Sequence, residues 1–383
     1  MEIKSLRSKL PNTGTSIFAV MSGLAIEHDA INLSQGFPDF PVSAKLIDRV
    51  GFYMKSGKNQ YAPMPGVINL RESISGMFRL NHQARYDPET EITITAGATQ
   101  ALFTAISAIV HKGDEAIILE PAYDSYAPAV EISGGLVKRS KLLFPEYKIN
   151  REEIAALITA KTKMLIINSP HNPTGSLLEK DDMEFVQKLT KGTDIVVLSD
   201  EVYEHLIFEK HLHQSACRFS ELKKRSIIIG SFGKTFHATG WKTGFALAPD
   251  YLMKEFRKVH QFVVFASNTP IQYAIADYIK NQDNYNYLGS FFQKKRDVFA
   301  GALKGSGFKV LSCLGTYFQL LDYSNISNEK ELAFAKRLTI EHGVASVPVS
   351  PFYKYGEENR TLRFCFAKEE STLLKAAEIL CKI

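Results

Sequence analysis

Ser226-Ile227-Ile228-Ile229-Gly230-Ser231-Phe232-Gly233-Lys234-Thr235 sets three β-branched residues just ahead of small residues and a lysine. Consecutive β-branched side chains without polar alternation read as a strand buried on both faces, and the glycines read as its exit turn. The same pattern recurs upstream. Asp194-Ile195-Val196-Val197-Leu198 runs into Ser199-Asp200-Glu201-Val202-Tyr203, and Lys163-Met164-Leu165-Ile166-Ile167-Asn168 precedes His171-Asn172-Pro173-Thr174-Gly175. Residues 91–95, 114–119 and 243–248 are further strands, and 99–110 is an apolar helix after the first of them. Short two-sided apolar strands alternating with helices predict an α/β fold with a mainly parallel sheet covered on both faces.

Beyond Pro270 the texture changes. Residues 271–280, 287–303, 332–342 and 371–381 read as helices, and 309–311, 317–321 and 362–366 as strands. This pattern predicts a smaller α+β domain at 276–383 behind a large domain at 41–275, with residues 1–40 as an arm packing on the small domain. A chain of 383 residues is long enough for both.

Composition excludes several classes. Charged residues are 23% of the chain and the formal net charge is +5, and the basic clusters Lys223-Lys224-Arg225 and Lys294-Lys295-Arg296 are too short for a nucleic-acid stripe. Cys217, Cys313, Cys365 and Cys381 have neither metal-ligand nor redox spacing, which suits free thiols in a reducing compartment. Met1-Glu2-Ile3-Lys4-Ser5-Leu6-Arg7 lacks an apolar signal region, the apolar run 101–110 is too short to span a membrane, and Asn325-Ile326-Ser327 is a glycosylation sequon without a secretory context. A cytoplasmic protein is expected. Glu204, His205, Glu209, His211 and His213 lie close together, but their spacing matches no common zinc motif, so no metal is expected.

Ligands of open α/β sheets bind beyond the carboxyl ends of the strands. Lys234, Asp200, Asn172 and Tyr203 should therefore meet in one cleft. The set suits pyridoxal 5′-phosphate, which needs a lysine for its Schiff base and an acid for its ring nitrogen. A buried Asp200 carboxylate wants a cation, and a protonated pyridine is one; the alternative is an aspartate capping the next helix. Tyr203 and Asn172 can donate to the ring phenolate oxygen. Ala98-Thr99-Gln100 opens a helix whose free N–H groups suit a phosphate, although Thr99 reads equally as a plain N-cap. Ser231 and Lys242 stand where they can meet the same phosphate. Tyr123 can stack on a flat ring. Arg363, inside an apolar strand, wants a bidentate carboxylate such as that of an amino acid, or a structural acid.

Taken together, these motifs resemble the class I aminotransferases of fold type I, and within them the methionine and kynurenine aminotransferase branch. The resemblance runs along essentially the whole chain and rests on Asn32-Leu33-Ser34-Gln35-Gly36-Phe37-Pro38-Asp39-Phe40, Asn59-Gln60-Tyr61-Ala62-Pro63, the Asn172–Gly175 turn and residues 199–203 and 231–244. It implies a three-layer α/β/α large domain with a seven-stranded sheet. Lys234 then carries the cofactor and shuttles the proton between the substrate α-carbon and the cofactor C4′. Gly36 lines the carboxylate site with Asn172 and Arg363, and Tyr61 reaches the cofactor phosphate of the neighbouring subunit in a homodimer. Lys242 stands where much of the family has arginine, which implies looser phosphate binding. No arginine for a substrate side-chain carboxylate is evident; Ile17, Phe18, Tyr61, Tyr123, Phe262 and Phe265 are expected to line an apolar aromatic pocket. The implied activity is ping-pong transamination of methionine, phenylalanine, tyrosine or kynurenine with a 2-oxo acid. The alternatives are β-elimination from a cysteine conjugate on the same site, and a non-enzymatic regulator, which would need a DNA-binding module ahead of the arm.

Overall fold

The computed structural model describes residues 7–383, so Met1–Leu6, most of the stretch read for a signal region, lies outside the described residues. Seven strands form one sheet in the order Ile92–Thr95, Gly244–Leu247, Ser226–Ser231, Val196–Asp200, Thr162–Asn168, Glu115–Glu120, Leu136–Lys141. Gly244–Leu247 runs antiparallel to both its neighbours, and the other pairings are parallel. Every residue of Glu115–Glu120 and Val196–Asp200 is buried. Side chains of a strand point to alternate faces, so both faces of the sheet are covered. The helix Ala98–Ile109 lies against Ser226–Ser231, Gly244–Leu247 and Val196–Asp200, which sets its N-terminus at the strand ends.

Six of these strands stand where the sequence pattern put them. The seventh, Leu136–Lys141, carries no apolar run: its sequence is LVKRSK and only Ser140 is buried. It is an edge strand, paired on one side, and its cations lie on acids. Lys138 reaches Glu115 at 3.4 Å, Arg139 reaches Glu120 at 3.0 Å, and Lys141 pairs with Glu357. Charge on an edge blunts further strand addition.

A four-stranded antiparallel sheet follows the order Val347–Pro348, Thr361–Cys365, Phe318–Asp322, Lys309–Val310. Ile31–Asn32 pairs in parallel with Val344–Ala345, and the helix Ile17–Glu27 touches the helix Glu331–His342. The helix Thr269–Tyr278 begins at the Asn268 cap, which accepts from the Ile271 N–H, and runs through the expected boundary at residue 275. Ile17–Glu27, Ala44–Lys55, Ile68–His82 and Asp250–Val263 are helices for which the strand pattern offered no cue. No helix among the described residues is long and apolar enough to cross a membrane.

Candidate active site

A cavity of about 180 Å³ opens at the carboxyl ends of the strands. Gly36, Ala98, Thr99, Tyr123, Asn172, Asp200, Tyr203, Lys234 and Arg363 all line it, with Phe18, Leu102, Asn168, Val202 and Phe318. Strand register accounts for the convergence: Asn168 pairs with Asp200 across the sheet, and Asp200 pairs with Ile229 next to the Gly230–Ser231 exit. Lys234 stands in a four-residue helix, Phe232–Thr235, directly after that strand. A turn follows Asp200 in place of the helix allowed for above, and the carboxylate accepts from the Val202 N–H at 3.3 Å.

Asp200 is 3% exposed and also accepts from the Tyr126 hydroxyl at 2.6 Å. No salt-bridge cation lies on it among the described residues. Burial pushes this carboxyl up to about 6, against the pull of Tyr126, the Val202 N–H and Lys234. Burial likewise pulls the Lys234 amine down to about 8, with Arg363 and Lys242 pulling the same way and Asp200 opposing. Lys234 Nζ donates to the Tyr317 hydroxyl at 2.9 Å and the Gly36 carbonyl at 3.3 Å.

Arg363 is 1% exposed. It donates to Asn172 Oδ1 at 2.8 Å and to the Ser34 carbonyl at 3.0 Å, and its plane lies 3.9 Å over the Phe318 ring. Its Nε has no partner, and no acid pairs with it among the described residues. An unmatched guanidinium at this depth is costly, so the donor set fits an incoming carboxylate. Gly36 lies so close that a Cβ there would stand 2.7 Å from Phe318.

The helix Ala98–Ile109 is capped by Gly97 at φ 82° with no side-chain cap, so Thr99 is not its N-cap. Its hydroxyl lies 3.4 Å from the Tyr123 hydroxyl. Lys242 is exposed and extends alongside Gly97, so its amine stands at the same helix end. Free N–H groups, a hydroxyl and an ammonium suit a phosphate. The Gln100 side chain faces elsewhere: it accepts from Ala96 N and donates to Thr104, leaving only its backbone for the cavity. Ser231 stands at the rim without lining the cavity. Tyr61 is 85% exposed, rests edge-on to Phe265 at 5.6 Å and lies away from the cavity. Of the expected aromatic lining, Phe18 and Tyr123 are present, whereas Ile17, Phe262 and Phe265 do not face this cavity.

The acid–histidine cluster is divided between two acids. Glu201 takes His213 at 2.7 Å, Glu204 takes His82 at 3.1 Å and lies 3.6 Å from His205, while Glu209 and His211 lie exposed. No three His, Cys, Asp or Glu side chains among the described residues are grouped so that they could hold a metal ion.

Against known proteins, the model of aminotransferase classes I and II matches residues 28–380. The chain belongs to the class I and II aminotransferase family. This aminotransferase is 46% identical to the methionine aminotransferase of Escherichia coli (strain K12) over 98% of its own length and 97% of the relative's. A solved Escherichia coli structure identified with a methionine aminotransferase function superposes with a TM-score of 0.97 at 45% identity, covering 99% of each chain. The kynurenine–oxoglutarate transaminase of Dictyostelium discoideum is 33% identical over 97% of this chain and 94% of that one. The fold is that of the fold-type I aminotransferases, and its substrates are amino and 2-oxo acids. The family is generally dependent on pyridoxal phosphate.

Three neighbours of the candidate site residues escape the sequence reading. Tyr126 opens the helix Tyr126–Ile132 just after Tyr123, and nothing in the sequence sets it apart from a packing tyrosine. Asn168 and Tyr317 carry no signal beyond a place at a strand end.

Proposed function

We propose that this aminotransferase moves the amino group of a neutral apolar or aromatic L-amino acid, methionine foremost, to a 2-oxo acid, using pyridoxal 5′-phosphate held in the described cavity. One observation carries the reading: a half-buried amine, a buried acid without a cationic partner and a buried guanidinium without an acidic one line the same cavity of about 180 Å³. Lys234 would tether the cofactor through Nζ, Asp200 would face its ring nitrogen, and Tyr203 and Asn172 would donate to its phenolate oxygen. Tyr123 would cover the ring, and Ala98, Thr99, the Gln100 N–H, Ser231 and Lys242 would receive the phosphate. When bound, the cofactor supplies an electron sink for the pair left at the substrate α-carbon.

Arg363 and Asn172 hold the substrate carboxylate beside Gly36, which fixes the α-carbon near Lys234. The freed Nζ then takes the α-proton. Tyr126 keeps the Asp200 carboxylate oriented during that step. Arg363 is the one guanidinium lining the cavity, and Phe18, Leu102 and Phe318 supply apolar walls, which favours an uncharged side chain. The names of the methionine and kynurenine relatives agree with that preference. Release of the first oxo acid and entry of a second amino-group acceptor complete a two-stage cycle on one site.

Exposure of Tyr61 and Phe262, at 85% and 87%, supports a homodimer in which Tyr61 meets the partner's cofactor phosphate. The four unpaired cysteines agree with a reducing cytoplasm. The test is a single-turnover screen of the cofactor-loaded protein against individual amino acids, followed by cofactor absorbance. Methionine and phenylalanine are expected to bleach the yellow form, and aspartate to leave it. Bleaching by aspartate alone overturns the specificity, and absence of any chromophore after loading overturns the cofactor.

A further inference from the structure

Tyr317 immediately precedes the strand Phe318–Asp322 and is fully buried. Its ring packs against Phe318 at 4.8 Å, Tyr203 at 5.2 Å and Phe292 at 5.8 Å, which leaves the hydroxyl little freedom. That hydroxyl donates to the Gly36 carbonyl at 2.7 Å and accepts from Lys234 Nζ at 2.9 Å. Nζ also donates to the same carbonyl at 3.3 Å. One amine is thus held at two oxygens, and one of those oxygens fixes the other.

An uncharged amine has two N–H bonds and one lone pair. With both N–H bonds engaged by Tyr317 and Gly36, the lone pair takes the remaining tetrahedral position, turned away from both acceptors. We infer that Tyr317 is a positioning residue: with the Gly36 carbonyl it forms the seat of the freed Lys234 amine and turns its lone pair into the cavity to receive the substrate α-proton. The inference rests on Lys234 being the proton-transfer group. In that step the α-carbon–hydrogen bond breaks, its electron pair stays on the substrate, and the proton becomes the third N–H of an ammonium still held at two points. Tyr317 keeps its own proton throughout, because burial pushes its hydroxyl well above the usual phenol range. It acts as a fixed dipole. Asp200, Arg363, Lys242, Cys365 and Tyr203 are the other titratable groups around the amine, and a change at Tyr317 leaves them in place.

Tyr317→Phe removes the hydroxyl and keeps the ring. Three readouts test it. In cofactor-free protein, competitive acylation of Lys234 read by peptide mass spectrometry should half-saturate near pH 8 for the wild type. Loss of an acceptor withdraws support from the ammonium, so the variant's midpoint should fall by about half a unit to one unit. In loaded enzyme, kcat for methionine should drop about tenfold to a hundredfold with KM held within about twofold. The α-deuterium isotope effect on kcat should rise. Tyr317→Leu, which also lacks the hydroxyl, is read in the same way if the Phe variant does not fold. Wild-type midpoint, kcat and isotope effect together overturn the inference, as does a raised KM at unchanged kcat. Lys234→Ala separates the two readings: if it turns over normally, the proposed function itself fails. If it is dead while Tyr317→Phe is normal, only the role of Tyr317 fails.

Discussion

Arg363 shows why residue type matters more than charge in this cavity. Its fork divides between Asn172 and Ser34 and leaves Nε unmatched, a donor set that suits the proposed substrate carboxylate. A lysine there keeps the charge and loses the fork. Arg363→Lys should raise KM for methionine at least about tenfold, while cofactor absorbance stays normal, in steady-state kinetics. Asp200 carries a pH dependence whose sign follows from its burial. The folded, cofactor-free protein holds this proton up to about 6, the unfolded chain only to about 3.8. Its contribution to stability is therefore full below the unfolded value, declines as pH rises through the folded one, and is absent above it. Asp200→Asn should flatten that part of the melting-temperature profile of cofactor-free protein between about pH 4 and 7. In loaded enzyme the same variant should lower kcat roughly a hundredfold. Lys234 and Asp200 stood out because each follows a short apolar strand, and both line the cavity. Tyr126 and Tyr317 did not, because a tyrosine beside a buried strand looks the same whether it packs or hydrogen-bonds a neighbouring charged group.

Gly244 shows how tightly the elements around the proposed phosphate seat are joined. It pairs with both Ser231 and Thr95, so three chain segments meet at one backbone position. A Cβ there would stand 2.7 Å from the Gly230 carbonyl, 3.0 Å from Ala98 N and 3.1 Å from Gly97 C, all of them backbone atoms. Gly244→Ala should cost about 1–3 kcal/mol in denaturant unfolding and weaken cofactor retention measured by equilibrium dialysis. Gly240→Ala is the control, since nothing lies within 4 Å of its Cβ position. Buried strands announce themselves by unbroken apolar runs, and the matching helices beyond Pro270 by periodicity. Leu136–Lys141 did neither, because an edge strand is held by one ladder and by ion pairs with Glu115, Glu120 and Glu357 that join residues distant in sequence.

Across the whole molecule, Tyr61, Phe262 and Phe265 form an exposed aromatic group on a chain whose other large aromatics are mostly buried. Exposed aromatic residues of this kind fit the proposed dimer interface. Sedimentation equilibrium should find a dimer, and Tyr61→Ala should loosen cofactor binding without lowering the melting temperature of the cofactor-free protein by more than about 1 °C, because the side chain packs little within its own chain. Tyr61 was named only through the resemblance carried by Asn59-Gln60-Tyr61-Ala62-Pro63, and no contact within one chain tests it, since its expected target belongs to another copy.

The cavity draws on widely separated parts of the sequence: the Arg363–Ser34 hydrogen bond spans 329 positions. Lys234 rests on a carbonyl 198 positions away. During synthesis, therefore, no nascent fragment that stops short of residue 363 can hold the whole cavity: Lys234, the Gly36 carbonyl and the Arg363 fork come together only once the ribosome has delivered Arg363.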